Sequence, residues 1–446
     1  MNEFDLVIKD GTGLLPHPTN FYEIIEEQTD IGIRDGDIVK VGFIEKHKCS
    51  NIFSAKNLHV LPGLMDCQVH FREPGMTHKE DFETGSKSAL LGGITGVFEM
   101  PNTSPPTTHL QALNEKLERA NKRFYCDYAF FLGASPENKN QLHELEKSKG
   151  CCGVKVFMGS STGNLLLDKK EDLEIIIKNG KRRMAVHSED EARLIERKQF
   201  IQEGKVESHA LWRDEQTAFN STKRLITLAE KYQRPVHVLH VTTEEEMEFL
   251  SQHKKVASVE VTPQHLTLCA PECYKELGTL AQMNPPIRGP RHFKALWKGL
   301  RNGTVDIIGS DHAPHTLEEK NKVYPNTPSG MPGVQTLLPL LLNHRHQGKL
   351  DLQTIVRLLA MNPHYLFKMK KRGLIREGFS ANLTIVDLKK EQRIIKDWLA
   401  YKCGWSPFEN LKVTGWPMAV FLRGQLVMRE GEIINSAKGQ EIAFLD

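Results

Sequence analysis

The segment Asp66-Cys67-Gln68-Val69-His70-Phe71-Arg72-Glu73-Pro74-Gly75 places a metal-ligand candidate and a guanidinium able to grip an anion on one short stretch of chain. An apolar run beginning at Leu58, with Pro62 and Gly63 in it, leads into the segment, so as a strand it sets Asp66, Gln68 and His70 on one face. A metal site on a strand wants two imidazoles there; this chain offers an amide and an imidazole. Other apolar runs end in polar residues as well: Ala185-Val186-His187, His237-Val238-Leu239-His240, and the stretch Gly309-Ser310-Asp311-His312-Ala313-Pro314-His315. A lone histidine at a strand end is more often a satisfied polar residue than a ligand. Histidines from three strands and an aspartate from a fourth, reaching one mouth, supply the imidazole and carboxylate ligands of a catalytic metal with a position left for water. His237 and His240 are three apart and would point to opposite faces; His240, nearer the strand's C-terminal end, is the candidate.

Lys155 lies inside the apolar run Gly153-Val154-Lys155-Val156-Phe157-Met158. A buried, unpaired ammonium is costly, so either this side chain reaches outward to solvent or its pKa falls and the amine is neutral. A neutral amine can capture carbon dioxide, and the resulting carbamate has two oxygens that can bridge two cations.

The elements that must position these groups alternate. Eight β-like runs occur between residues 58 and 314: Leu58 to His70, Gly96 to Pro101, Asp127 to Gly133, Gly153 to Gly159, Met184 to Ser188, Pro235 to Val241, Ala257 to Pro263 and Asp306 to His312. Intervening stretches such as Thr107 to Lys122 and Thr217 to Tyr232 carry apolar residues at helical spacing. This alternation predicts an α/β fold, a TIM (β/α)8 barrel, with catalytic groups at the C-terminal strand ends. The flanks read as short strands: Phe4 to Ile8, Ile31 to Val41 with an Asp35-Gly36 turn, Ala381 to Asp387, and Val420 to Val427 with Arg423-Gly424 between. Residues 1–57 and 371–446 are therefore expected to form one small β domain beside a barrel of residues 58–370. The Pro/Gly-rich segment from Tyr324 to Gly333 reads either as a loop over the site or as an ordinary surface loop.

Composition narrows the class. With 39% hydrophobic and 26% charged residues the chain suits a folded globular enzyme and neither a disordered nor a fibrous protein. A net charge of +3 gives no reason to expect nucleic acid or an anionic membrane as partner, leaving a small molecule. No apolar stretch reaches membrane-spanning length, and the acidic start Met1-Asn2-Glu3-Phe4-Asp5 lacks the pattern of a signal peptide. The eight cysteines are scattered without a CxxC pair or a disulfide framework, so a cytoplasmic protein is expected.

Taken in order, Pro62-Gly63-Leu64, His70-Phe71-Arg72-Glu73-Pro74-Gly75, Met100-Pro101-Asn102-Thr103, Gly153-Val154-Lys155, Val186-His187-Ser188-Glu189-Asp190-Glu191, Leu239-His240-Val241, Met283-Asn284-Pro285-Pro286-Ile287-Arg288 and Ser310-Asp311-His312-Ala313-Pro314-His315 resemble the amidohydrolase superfamily, and more narrowly the dihydroorotases of pyrimidine biosynthesis. The resemblance spans nearly the whole chain. It implies a zinc centre of one or two ions per chain, with Lys155 carbamylated by CO2 as the bridge, His187 and His240 completing one position, and His70 and Asp311 part of the other. Dihydroorotases usually have histidine where this chain has Gln68. An amide oxygen is a weaker zinc donor than imidazole, so two unequal positions, or only one, are expected. The resemblance further implies that Arg72 grips a substrate carboxylate with Asn102 and His315 assisting, that Asn284 contacts the ring, that His70 also touches substrate, and that Asp311 is the catalytic proton carrier.

The implied reaction is reversible hydrolysis of (S)-dihydroorotate to N-carbamoyl-L-aspartate. Two rivals stand beside it: another cyclic amidohydrolase (an allantoinase, or a hydantoinase/dihydropyrimidinase), and an inactive homologue serving as a structural partner of aspartate transcarbamoylase. Without the family context Arg72 could equally form a surface ion pair with Glu73 or Glu80. A homo-oligomer and association with aspartate transcarbamoylase are the partner expectations.

Overall fold

The apolar run from Leu58 to His70 is two strands in two different sheets, divided at Gly63. A Cβ there would lie 2.6 Å from Thr95 Oγ1 and 2.8 Å from Asn382 Cβ, so the chain crosses between the two sheets at a place too tight for any side chain. The computed structural model describes residues 3–20, 22–45, 48–161 and 165–445. The N-terminal segment supplies β1 (Leu6–Pro16), β2 (Ile24–Arg34), β3 (Asp37–Val41), β4 (Ile52–Ser54) and β5 (His59–Pro62). The barrel strands are β6 (Leu64–Val69), β7 (Ile94–Glu99), β8 (Asp127–Gly133), β9 (Cys151–Phe157), β10 (Met184–His187), β11 (Val236–Val238), β12 (Ala257–Val261) and β13 (Ile307–Ile308). The C-terminal segment adds β14 (Leu383–Arg393), β15 (Lys412–Leu422), β16 (Gln425–Arg429) and β17 (Glu432–Ile433).

Strands β6 to β13 pair in parallel in chain order. Val69 bridges His312 in parallel, and the His70 N–H donates to the His312 carbonyl at 2.8 Å, which closes the barrel at its upper end. Val, Ile and Leu residues on the outer strand faces pack against the surrounding helices. Met65, Cys67, Phe98, Met100, Phe131 and Ala185 fill the interior, with Phe367, Met369 and Ile442 packed against them. This apolar filling confines the polar inward-facing residues to one end. The terminal segments form one sheet in the order β17-β16-β15-β14-β5-β1-β2-β3, with β4 on β1, so the fold is a TIM barrel with a small β domain drawn from both ends of the chain. No helix among the described residues is long and apolar enough to cross a membrane. All eight cysteines are free.

Asp127, buried at the start of β8, ties the two parts together. It takes hydrogen bonds from Arg372, Arg423, Asn382 Nδ2 and the Gln440 backbone. Burial raises its pKa, but the two guanidiniums and the backbone donor outweigh that, leaving it lowered. Asp127→Asn is therefore expected to cost about 2 kcal/mol of stability in urea unfolding at pH 7, because two partly buried guanidiniums lose their buried counter-charge. With the folded-state value depressed, this contribution is complete above the unfolded value of about 3.9 and fades as pH falls through the folded value. The gap between the two proteins should thus narrow in acid.

Candidate active site at the mouth of the barrel

Gln68, His70, Arg72, Asn102, Lys155, His187, His240, Asn284 and Asp311 all line one cavity. Seven of the barrel strands or the loops after them contribute to it, as the C-terminal-end rule requires. Phe157, Ser161, Ala313, Ser329 and Gly330 complete the wall. Three of its residues, Arg72, His240 and Asp311, have positive φ (62°, 38° and 44°), a conformation that non-glycine residues adopt where surrounding structure holds them. The space left is about 20 Å3, room for one water molecule.

Two local details differ from simple strand alternation. The β6/β7 register shifts between Asp66 and Val69, so Gln68 and His70 reach the cavity while Asp66 does not share their face. Asp66 Oδ1 instead accepts the backbone N–H groups of Gln68 and Ser310, bracing the ends of the first and last barrel strands against each other. Likewise β11 stops at Val238, and the positive φ of His240 ends the alternation before it. His237 therefore does not face away from His240: it lies deeper in the barrel against Phe367, Ser258 and Glu260, while His240 sits at the mouth.

The imidazoles are set up as ligands. His187 Nε2 lies 2.8 Å from Glu189 Oε2, a carboxylate that burial pushes up but Arg213 and His187 hold down at about 2. A charged carboxylate only accepts, so His187 carries its proton on Nε2 and presents the lone pair of Nδ1 to the cavity. That Nδ1 faces His240 Nε2 at 3.0 Å; two nitrogens bound to one tetrahedral zinc stand roughly 3.3 Å apart. Burial lowers the pKa of both rings, keeping them neutral as ligands must be, and His240 Nδ1 has no partner. Lys155 is fully buried; desolvation brings its pKa to about 7, with Asp311 and Glu260 opposing. Its nitrogen lies 4.5 Å from the Phe157 ring centroid. The outward-reaching alternative does not occur.

On the other side, Asp311 Oδ1 accepts from Gln68 Nε2 at 3.0 Å and lies 3.3 Å from His70 Nε2. His70 Nδ1 is 2.8 Å from Asn102 Oδ1. Gln68 thus spends its donor on Asp311 and leaves Oε1 buried without a partner. Among the described residues no three His, Cys, Asp or Glu side chains form a ready ion cage. The donors come instead as the pairs His187/His240 and His70/Asp311, with Lys155 on the same wall, so a carbamate on that lysine is what would complete a coordination shell. The donor set fits a metal.

Arg72 is buried, and desolvation lowers its pKa to about 10, leaving it charged at neutral pH. The surface ion pair is excluded: Glu73 pairs with Arg123, and Glu80 faces His312 and the Lys402 backbone. Its Nε donates to the Pro314 carbonyl at 3.2 Å, and Nη1 is buried with no partner. The following Gly75 has φ 93°, and a Cβ there would lie 2.1 Å from the Ser104 carbonyl oxygen, so only glycine lets this loop fold down. His315 stands behind Arg72 and off the cavity wall, its Nε2 3.4 Å from Arg72 Nη2 and 3.1 Å from the Ser329 carbonyl, its Nδ1 3.0 Å from Lys79.

Several participants escape a sequence reading. His209 and Arg213 come from the excursion between β10 and β11, which has no strand-end signature, whereas Glu189 falls inside a quoted motif. His209 Nε2 is 2.8 Å from Asn284 Oδ1. An amide oxygen only accepts, so the ring donates and the Asn284 NH2 is left to present donors to the cavity. Tyr324 and Ser329 of the Pro/Gly-rich loop approach the same ring at 3.4 and 3.5 Å. Lys320 donates to the Gln282 and Pro328 carbonyls, and Gln282 to the Thr327 carbonyl, so this segment is a seated cover over the site.

The model of the amidohydrolase family matches residues 59–427, the whole barrel and most of the returning sheet. The chain belongs to the amidohydrolase family. Within this family it is 35% identical over 423 residues to the dihydroorotase of Pyrococcus abyssi, covering 92% of this chain and 94% of that one. It is 33% identical over 413 residues to the dihydroorotase of Methanothermobacter thermautotrophicus, covering 91% and 92%. Among solved amidohydrolase structures it is similar to an L-hydantoinase (dihydropyrimidinase) from Arthrobacter aurescens, with a TM-score of 0.91, 26% identity, and 98% and 99% of the two chains covered. A dihydropyrimidinase from Brevibacillus agri shares the fold at a TM-score of 0.88 and 24% identity.

Proposed function

We propose that this chain is a dihydroorotase, interconverting (S)-dihydroorotate and N-carbamoyl-L-aspartate. The observation that carries the reading is a buried, charged Arg72 with a free Nη1 on the wall of a cavity that also holds Lys155, His187, His240 and Asp311. A guanidinium so placed demands an anionic substrate group, since burying it unpaired is costly. Dihydroorotate has a carboxylate beside its cyclic amide; hydantoin, dihydrouracil and allantoin do not. The names of the curated relatives agree with this choice, and the solved hydantoinases share the barrel.

Zinc would be held by His187, His240 and carbamylated Lys155, with Asp311 and His70 beside it; bound there it supplies Lewis acidity toward the ring carbonyl and acidifies water to a pKa of about 7. The chain's own residues do the remaining work. Arg72 and Asn102 fix the carboxylate, and Asn284 donates to a ring carbonyl from an amide whose orientation His209 sets. The Tyr324–Gly333 loop closes water out. Asp311 takes a proton from the attacking water at a carboxylate oxygen and delivers it to the departing ring nitrogen; ring closure runs the same steps backwards. His315 keeps Arg72 and the loop in register.

Assaying the purified protein on dihydroorotate, hydantoin, dihydrouracil and allantoin tests the activity. Turnover of dihydroorotate well above the other three is expected. Preference for an uncharged ring would favour the hydantoinase reading, and no turnover of any of them by metal-loaded protein would favour the inactive homologue.

Gln68 makes a second expectation specific. Gln68 Nε2 donates to Asp311 Oδ1 and His70 Nε2 lies beside the same oxygen, where a second ion would need ligands, so metal analysis should find about one zinc per chain. Gln68→His supplies an imidazole and should raise the content toward two. An unchanged count in the variant would remove Gln68 as the determinant.

A further inference from the structure

Behind the N-terminal ends of the barrel strands, opposite the mouth, lies a second cavity of about 560 Å3, within the size range of small-molecule sites. Among the described residues its wall carries Lys147, Lys181, Arg182, Arg183 and Lys368 against one carboxylate, Glu146. That carboxylate is already engaged: Oε1 accepts the Lys181 and Arg182 backbone N–H groups, and Oε2 pairs with Arg234. Arg182 is anchored through the Cys151 carbonyl, and Arg183 through the carbonyls of Leu366 and Val236. Lys147 and Lys181 are exposed and have no carboxylate partner among the described residues. Tyr365 and Phe367 give the same cavity an apolar side.

Like charges gathered around a concave site repel one another unless an anion joins them, and low-dielectric walls focus their field. Guanidiniums pinned by backbone carbonyls are pre-oriented for phosphate oxygens. A polar file also leaves this cavity along the barrel interior. Arg183 Nη1 donates to Ser258 Oγ at 3.0 Å, Ser258 Oγ lies 2.8 Å from His237 Nδ1, His237 Nε2 lies 3.3 Å from Glu260 Oε2, and Glu260 Oε1 accepts the His240 N–H at 3.4 Å. All four residues after Arg183 are at most 2% exposed. The file ends at the mouth of the barrel, so a continuous run of contacts joins the two cavities.

We propose that this cavity binds a ligand combining phosphate groups with a flat ring, of the nucleoside diphosphate class, and that its occupancy alters substrate handling at the mouth. The test is calorimetric titration of the metal-loaded full-length protein with ADP and, separately, pyrophosphate at low salt, with metal content checked afterwards. ADP should bind saturably at one site per chain and more tightly than pyrophosphate. The double variant Lys147→Glu/Lys181→Glu should weaken it at least tenfold with an unchanged melting temperature. No binding of either probe, or binding indifferent to the charge reversal, overturns the site; equal affinity for the two probes overturns the role of the ring. The kinetic arm rests on the dihydroorotase reading: saturating ADP should change KM or kcat for dihydroorotate at least twofold in the natural protein and not in the double variant. Unchanged kinetics overturn the coupling. A protein without any dihydroorotate turnover would sink the proposed activity while leaving the binding result to be judged separately.

Discussion

Asp311→Asn is expected to lower kcat for dihydroorotate about a thousandfold, within the range a positioned general acid–base group contributes, with zinc content unchanged. Asparagine has the size of aspartate and keeps an oxygen that can accept from Gln68 Nε2, so the hydrogen bond now at 3.0 Å and the positive φ of 44° have no reason to change. What the amide cannot do is take a proton from water and return it to the ring nitrogen. The loss should therefore fall on kcat and not on KM, because Arg72 and Asn284 still bind the substrate. It should be equal for hydrolysis and ring closure, since both directions use the same proton. Steady-state kinetics in both directions with metal analysis on the same sample decide the matter. Near-normal turnover in the metal-loaded variant would take the proton-carrying role away from Asp311, and loss of metal would show that the residue serves the ion first.

Barrel and site were legible in this sequence to different depths, for physical reasons. Strand runs such as Asp127 to Gly133 announce themselves because a barrel strand buried on both sides is apolar throughout, and polar residues breaking that pattern at one end mark the mouth. Lys155 stood out for the same reason, as the one charge in an apolar run. Alternation could not foresee the register shift near Gln68 or the positive φ of His240, because both are imposed by neighbouring strands: Asp66 bonds across to Ser310, and Glu260 takes the His240 N–H. Nor could spacing reveal His209 and Arg213. They lie on a four-residue helix and its cap, too short to show a periodic pattern, and their importance exists only once Asn284 and Glu189 are seen beside them. The pairing of both chain ends into one sheet was visible in outline, whereas Asp127, the charge that ties that sheet to the barrel, was hidden inside a strand.

Arg72→Lys should reduce kcat/KM for dihydroorotate by about a hundredfold to a thousandfold while leaving whatever turnover of dihydrouracil the natural protein shows nearly unchanged. The substitution keeps a positive charge, so a purely electrostatic attraction would survive it. A two-pronged grip would not: lysine offers a single rotatable ammonium where the guanidinium fixes two parallel donors, and each charge-assisted hydrogen bond contributes about 1.5–3 kcal/mol. The backbone anchor from Arg72 Nε to the Pro314 carbonyl also disappears, so the shorter head is not held toward the substrate. Because dihydrouracil has no carboxylate, the ratio of kcat/KM for the two substrates isolates the anion grip from damage to the metal site, which would lower both together. A ratio unchanged by the substitution would mean that the acid group is recognised elsewhere. The choice of a dihydroorotase over a hydantoinase would then lose its physical basis, since the catalytic cluster around Lys155, His187, His240 and Asp311 serves either reaction and only the partner of the buried guanidinium tells them apart.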